Sequence, residues 1–87
     1  MSLCLTYILK LGANYKIGKT TNLNVRLAQY RTHNPEFDSI EIELVVVGDI
    51  ENFLLYLAKP KKIQGEWFKL EEDDISQIKY KIAQLSD

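Results

Sequence analysis

Apolar and polar residues alternate from Cys4 to Leu11, with Leu5, Tyr7, Leu9 and Leu11 on one side and Thr6, Ile8 and Lys10 on the other. A period of two is that of a β-strand. Neither side is wholly polar, so both faces are expected to be covered. Gly12-Ala13-Asn14 supplies residues that tolerate positive φ and predicts a tight turn. Tyr15-Lys16-Ile17 then returns antiparallel, with Tyr15 and Lys16 on opposite faces. Gly18 ends this second strand at a point where a side chain would obstruct a ligand or another segment.

Thr21 or Asn22 can cap a helix, and Leu23, Leu27 and Tyr30 recur at i, i+4, i+7 as its buried stripe with Arg26 at the border. Pro35 stops it, because proline disfavours helical geometry in Asn34. Ile40 to Val47 reads as a third strand, with Ile40, Ile42, Leu44 and Val46 on one face and Glu41 and Glu43 on the other before Val45 and Val47 turn that face apolar. Asp49 is expected to cap a short helix with the stripe Ile50, Phe53, Leu54 and Leu57, ended by Pro60. A basic loop with Lys59, Lys61 and Lys62 leads to an extended piece, Gly65 to Leu70, that packs Trp67 or Phe68. Four acids, Glu71 to Asp74, announce a last helix with the stripe Ile75, Ile78, Ile82 and Leu85. The expected architecture is one α/β domain of the α+β kind over residues 1–87, a small three-stranded antiparallel sheet flanked by helices in the order β-β-α-β-α-α.

Composition narrows the function more than the fold. The chain has 87 residues, near the lower end of what a single hydrophobic core supports, and 46% of them are apolar, so it is expected to be globular. One cysteine, Cys4, allows no internal disulfide and points to a reducing, intracellular compartment, cytoplasmic or nuclear. No apolar run approaches the length of a membrane span, and no signal-peptide order opens the chain. The net charge of −1 hides an asymmetry: residues 1–35 carry five cations (Lys10, Lys16, Lys19, Arg26, Arg31) and no acid, whereas residues 36–87 carry six cations and twelve acids. A segment of one sign suits an anionic partner, and the alternative is a chance cluster of solvated lysines.

Within that segment Arg26 is a candidate phosphate ligand, since a guanidinium donates two parallel hydrogen bonds and keeps its charge. The structural alternative is an arginine lying over Leu23 or Tyr30. His33 is the one histidine and reads either as a base or as an exposed residue at a helix end. Lys59, Lys61 and Lys62 either track a second phosphate or form a solvated loop. Tyr15, Arg31 and His33 complete the weaker nucleic-acid-binding candidates. No Cys/His cluster supports zinc, and no Gly-rich loop has the spacing of a nucleotide cradle.

Tyr7, the run Lys16-Ile17-Gly18-Lys19-Thr20, the pair Asn22-Leu23, Arg26-Leu27 and the late Gly65-Glu66-Trp67-Phe68 together resemble the GIY-YIG nuclease domain in its short phage and bacterial branch. The first signature falls on Leu5-Thr6-Tyr7, where only the tyrosine is kept, and the second on Lys16-Ile17-Gly18, where lysine replaces tyrosine. The resemblance implies a metal-dependent endonuclease acting on nucleic acid, expected to be DNA, with 5′-phosphate products. It implies that Tyr7 orients or deprotonates the attacking water, that Lys16 and Lys19 assist it and bind phosphate, that Arg26 supports the transition state, and that Glu51 holds one Mg²⁺ or Mn²⁺. Glu51 has the alternative role of stabilising a helix N-terminus. A phenol titrates near pH 10, so a basic Tyr7 requires nearby cations to lower its pKa, and Lys16 and Lys19 are the expected ones. The rival reading is a nucleic-acid-binding or interaction module on the same scaffold that no longer cleaves. In either case, specificity is expected from another domain, a partner protein or a homodimer.

Overall fold

The N-terminal alternation becomes β1 (Leu5–Leu11), which turns through Gly12 and Ala13 into β2 (Asn14–Thr20) in the computed structural model, whose described residues are 3–35 and 40–85. Leu11 pairs with Asn14, so the connection has two residues, and only Gly12 takes a positive φ, 64°. Glycine at the first central position is what a twisted hairpin of this length favours. Asn14, expected in the turn, is already strand.

On its other side β1 pairs antiparallel with β3 (Ile40–Val47), and beyond β2 lies a second hairpin, β4 (Lys62–Gln64) and β5 (Trp67–Phe68), whose β5 pairs with β2. The sheet is therefore antiparallel in the order β3-β1-β2-β5-β4. The expected α+β class holds, with five strands rather than three. β5 lies within the extended piece expected from Gly65 to Leu70 and buries Phe68, but its pairing and β4 escape a sequence reading because strands of three and two residues are too short to display alternation. The basic stretch expected to be a loop is a 3₁₀ turn, Lys59–Lys61, followed by β4.

One irregularity redistributes the side chains of β3. Ile8 pairs with Leu44 and Leu9 with Ile42, so Glu43 has no partner on β1 and the alternation shifts by one. A bulge of this kind reverses which residues share a face. Val45 and Val47 thus join Ile40 and Ile42 on the side of Tyr7 and Leu9, and Leu44 goes to the side of Ile8. The unbroken alternation expected from the sequence is corrected accordingly.

Each face of the sheet has its own cover. Helix α1 (Leu23–His33) starts at Asn22, whose side-chain oxygen accepts from the Val25 N–H at 3.2 Å, as one of the two expected caps. It buries Leu27 and Tyr30 against Tyr7, Leu9 and Leu11. Helices α2 (Glu51–Ala58) and α3 (Glu72–Leu85) cover the opposite face, where Leu54, Ala58, Ile75 and Ile78 pack on Ile8, Tyr15, Ile17 and Phe68. Each large apolar side chain removed from water in this way contributes roughly 1.5–3 kcal/mol. The Asp74 carboxylate caps the start of α3 by accepting from the Glu71 N–H at 2.8 Å. At α2 the capping position is Ile50 rather than Asp49, although Asp49 still accepts weakly from the Glu51 N–H at 3.4 Å. Among the described residues no helix is long and apolar enough to cross a membrane.

Candidate active site

Tyr7 lies at the middle of β1 and is 1% exposed. Its cross-strand partner is Gly18, and the ring occupies the volume a side chain there would need: a β-carbon built on Gly18 would stand 2.5 Å from the Tyr7 hydroxyl oxygen. The segment for which Gly18 makes room is thus Tyr7 itself. From that position the Tyr7 hydroxyl meets the hydroxyl of Tyr30, on α1, at 2.7 Å, with the two rings edge to face. Tyr30 appeared in the sequence only as part of a buried stripe. The available signal was its phenol, which needs a partner once buried.

Charges gather around this hydroxyl pair. Lys16 projects from β2 on the same face, because it neighbours Leu9 across the strands, and its Nζ sits 4.8 Å from the centre of the Tyr30 ring and 5.0 Å from that of Trp67. An ammonium between two π-faces is held in place by roughly 0.5–2 kcal/mol for each contact. Arg26, half-buried one turn before Tyr30, acts electrostatically on both hydroxyls, and among the described residues its guanidinium has no carboxylate partner. Glu66, in the turn of the second hairpin, also acts on both hydroxyls, with opposite sign. The single-signed field expected from residues 1–35 is therefore moderated at this site by an acid from the far end of the chain.

Glu51 enters through a different device. The buried Thr6 hydroxyl donates to the Gly48 carbonyl at 2.6 Å and accepts from the Ile50 N–H at 3.0 Å. This pins the turn before α2 to β1 and fixes where the helix begins. Lys19 adds an exposed ion pair to Asp49 at 2.8 Å, in which each partner strengthens the other's charge: the ammonium holds the Asp49 carboxyl below its ordinary value, and the carboxylate holds Lys19 above its own. Such surface pairs contribute little stability. Glu51 follows, half-buried in the first turn of α2, and its charge acts on Lys19 and on Tyr30. Neither Thr6 nor the Lys19–Asp49 pair was singled out from the sequence, where their partners lie thirty or more positions away.

The structure corrects the expected electrostatics of Tyr7. Burial pushes its pKa far up and the hydrogen bond with Tyr30 pushes it further, and the cation that chiefly opposes them is Arg26 rather than the expected Lys16 and Lys19. Burial also raises Tyr30, and there the hydrogen bond with Tyr7 opposes the rise. At neutral pH both phenols are protonated and act as hydrogen-bond donors and acceptors.

The weaker candidates separate. Tyr15 is buried on the opposite face, paired with Phe68 and packed in the core beneath α2 and α3, so it does not join the site. Arg31 and His33 are exposed in the last turn of α1, and a ring nitrogen of His33 is tied to the Gln29 carbonyl at 2.8 Å. Lys61 turns to Asp74 at 3.5 Å, whereas Lys59 and Lys62 have no carboxylate partner among the described residues.

Among the described residues no three His, Cys, Asp or Glu side chains converge as a metal-binding group. A single carboxylate is nonetheless the donor set that Mg²⁺ accepts when substrate phosphate and waters complete its octahedron. Glu51, half-buried and without an ion-pair partner of its own among the described residues, fits that use.

No curated protein and no solved structure matches the chain. A family model does, the T5orf172 domain, over residues 5–83, which takes in every strand and nearly all of α3. It overturns the resemblance to the GIY-YIG nuclease domain, whose two signatures are each only partly kept here at Leu5-Thr6-Tyr7 and Lys16-Ile17-Gly18. The chain belongs to the T5orf172 domain family.

Proposed function

We propose that this domain hydrolyses phosphodiester bonds in nucleic acid, DNA in the first instance, with one divalent cation. The observation that carries the reading is that a half-buried guanidinium, Arg26, without a carboxylate partner among the described residues, and a half-buried carboxylate, Glu51, come from two different helices to within electrostatic reach of the Tyr30 hydroxyl. A guanidinium in that setting suits a phosphate and the charge that builds on it during transfer.

In this reading Arg26 binds the non-bridging oxygens of the scissile phosphate, and Lys19 lies near enough to Glu51 to attract the adjoining phosphate. The neutral Tyr7–Tyr30 pair orients a water for in-line attack instead of deprotonating it. Lys16, held between the Tyr30 and Trp67 rings, lends positive charge. Overall the hydroxide of the water joins phosphorus, the bond to the 3′-oxygen breaks with its electron pair on that oxygen, and the proton ends there, leaving a 5′-phosphate and a 3′-hydroxyl. Mg²⁺ or Mn²⁺ held by Glu51 would supply stabilisation of the charge on the leaving oxygen.

A second reading draws on the same pair. Two phenols kept protonated, with a lysine packed on one of them, lack an evident base, which favours a module that binds nucleic acid without cutting it. Incubating supercoiled plasmid with the pure domain separates the two. Nicking in Mg²⁺ or Mn²⁺ that stops with chelator and leaves 5′-phosphate ends supports hydrolysis. Salt-sensitive binding without nicking in either metal supports the silent module and overturns the first reading.

A further inference from the structure

The face of α2 that begins at Asn52, one residue after Glu51, lines a cleft between that helix and the β4–β5 hairpin, about 330 Å³ in volume and bounded by Leu55, Tyr56, Lys59, Lys62 and Glu66 among others. Three features give it a chemistry. Tyr56 is 75% exposed, a large aromatic face kept in water at the cleft wall. Lys59 and Lys62 stand at its rim with no carboxylate partner among the described residues, whereas Lys61 between them turns away to Asp74. Glu66, an acid at the wall, also acts on the hydroxyls of Tyr7 and Tyr30, which ties this cleft to the candidate active site.

Spacing along the helix relates the two places. Tyr56 lies one turn after Asn52 on the same face of α2, about 6 Å further along the axis, and Asn52 adjoins Glu51. An exposed ring flanked by unpaired cations is the arrangement that holds a single strand, with a base stacked on the ring and the neighbouring phosphates on the cations. A base within a duplex has both faces covered by its neighbours and cannot stack on a side chain.

We infer that this cleft binds a nucleotide of single-stranded nucleic acid next to the scissile phosphate, its base on Tyr56 and its phosphates on Lys59 and Lys62. The inference rests on the reading of Arg26 and Glu51 as a phosphate-handling site, and it adds a substrate class: strands with an unpaired end, gap or loop. Asn52, at the cleft wall one residue from Glu51, is placed to hydrogen-bond an edge of the base.

Fluorescence anisotropy with labelled single-stranded DNA, the same sequence as RNA, and the DNA duplex, all in chelator, tests it on the full chain. Tyr56→Ala is expected to weaken single-strand binding about tenfold and to leave duplex binding unchanged, while Tyr56→Phe keeps the wild-type affinity. Lys59→Ala with Lys62→Ala is expected to flatten the logarithmic salt dependence by about 0.7 for each lysine. The DNA and RNA arms identify which backbone the cleft prefers, and a Tyr56-dependent loss in either supports the inference. Single-strand binding unaffected by Tyr56→Ala overturns it. Plasmid nicking by a wild type that binds no single strand overturns the cleft alone and leaves the hydrolytic reading standing. Tyr56-dependent single-strand binding without nicking does the reverse.

Discussion

The Tyr7 ring lies directly over the backbone of Gly18, its hydroxyl oxygen 2.5 Å and its ring carbon Cζ 2.7 Å from where a β-carbon at position 18 would be. Gly18 is therefore a packing requirement of the hydroxyl pair. Gly18→Ala is expected to cost about 1–3 kcal/mol in urea unfolding, the usual range for overpacking a filled core. Combining it with Tyr7→Phe removes the nearer of the two clashing atoms, so the double variant should lose less than the sum of the singles. A strictly additive pair would contradict the contact.

Thr6 supplies a second test that lies away from the proposed chemistry. Its hydroxyl ties β1 to the turn that starts α2, both donating and accepting, beside the bond from the Gly48 N–H to the Cys4 carbonyl. Thr6→Val keeps the shape but leaves the Gly48 carbonyl and the Ile50 N–H without it, which is expected to cost about 1–3 kcal/mol. Because Glu51 follows within the same turn, plasmid nicking should fall more than the loss of stability explains. Thr6→Ser should retain both properties.

Alkaline pH tests the protonated phenols. The folded-state pKa of Tyr7 lies above its ordinary value of 10.0, chiefly through burial, so the unfolded chain releases the proton first. The stabilisation is then complete below about pH 10 and is lost as the pH rises beyond it. Thermal melts should accordingly be flat in this respect through neutrality and fall above about pH 10. Tyr7→Phe should start lower, having lost the bond to Tyr30, and fall less steeply.

Arg26 is distinguished from a merely cationic residue by geometry. Arg26→Lys keeps the charge but loses the planar fork that grips two phosphate oxygens, so it should not rescue Arg26→Ala. Removing one such contact to a transition state typically costs about 10²–10³ in rate. Full activity in Arg26→Lys would show that charge alone suffices there.

How much of this was legible in the sequence follows from the range of each interaction. The first hairpin, the placement of Tyr15 and Lys16 on opposite faces, the Asn22 cap and the Leu27–Tyr30 stripe depend on neighbours a few residues apart, and all are found as read. The bulge at Glu43, β4 and its pairing with β5 were not legible, because a skipped residue leaves no local mark and strands of two or three residues have no period, although β5 falls in the extended piece expected there. Site partnerships were harder still. Tyr7 finds Tyr30, Thr6 finds Ile50 and Lys19 finds Asp49 across separations of 23 to 44 residues. The family was not legible for a related reason: short signatures, each only partly kept, do not specify the whole of residues 5–83.

The central claim is that Arg26 and Glu51 act together on a phosphate, and the most direct measurement is the initial rate of plasmid nicking in Mg²⁺ by the wild type, Glu51→Ala and Arg26→Ala, each checked for unchanged circular dichroism. The account predicts metal-dependent nicking by the wild type and its loss in both variants with the fold intact. Nicking that survives Glu51→Ala at the wild-type rate would contradict it.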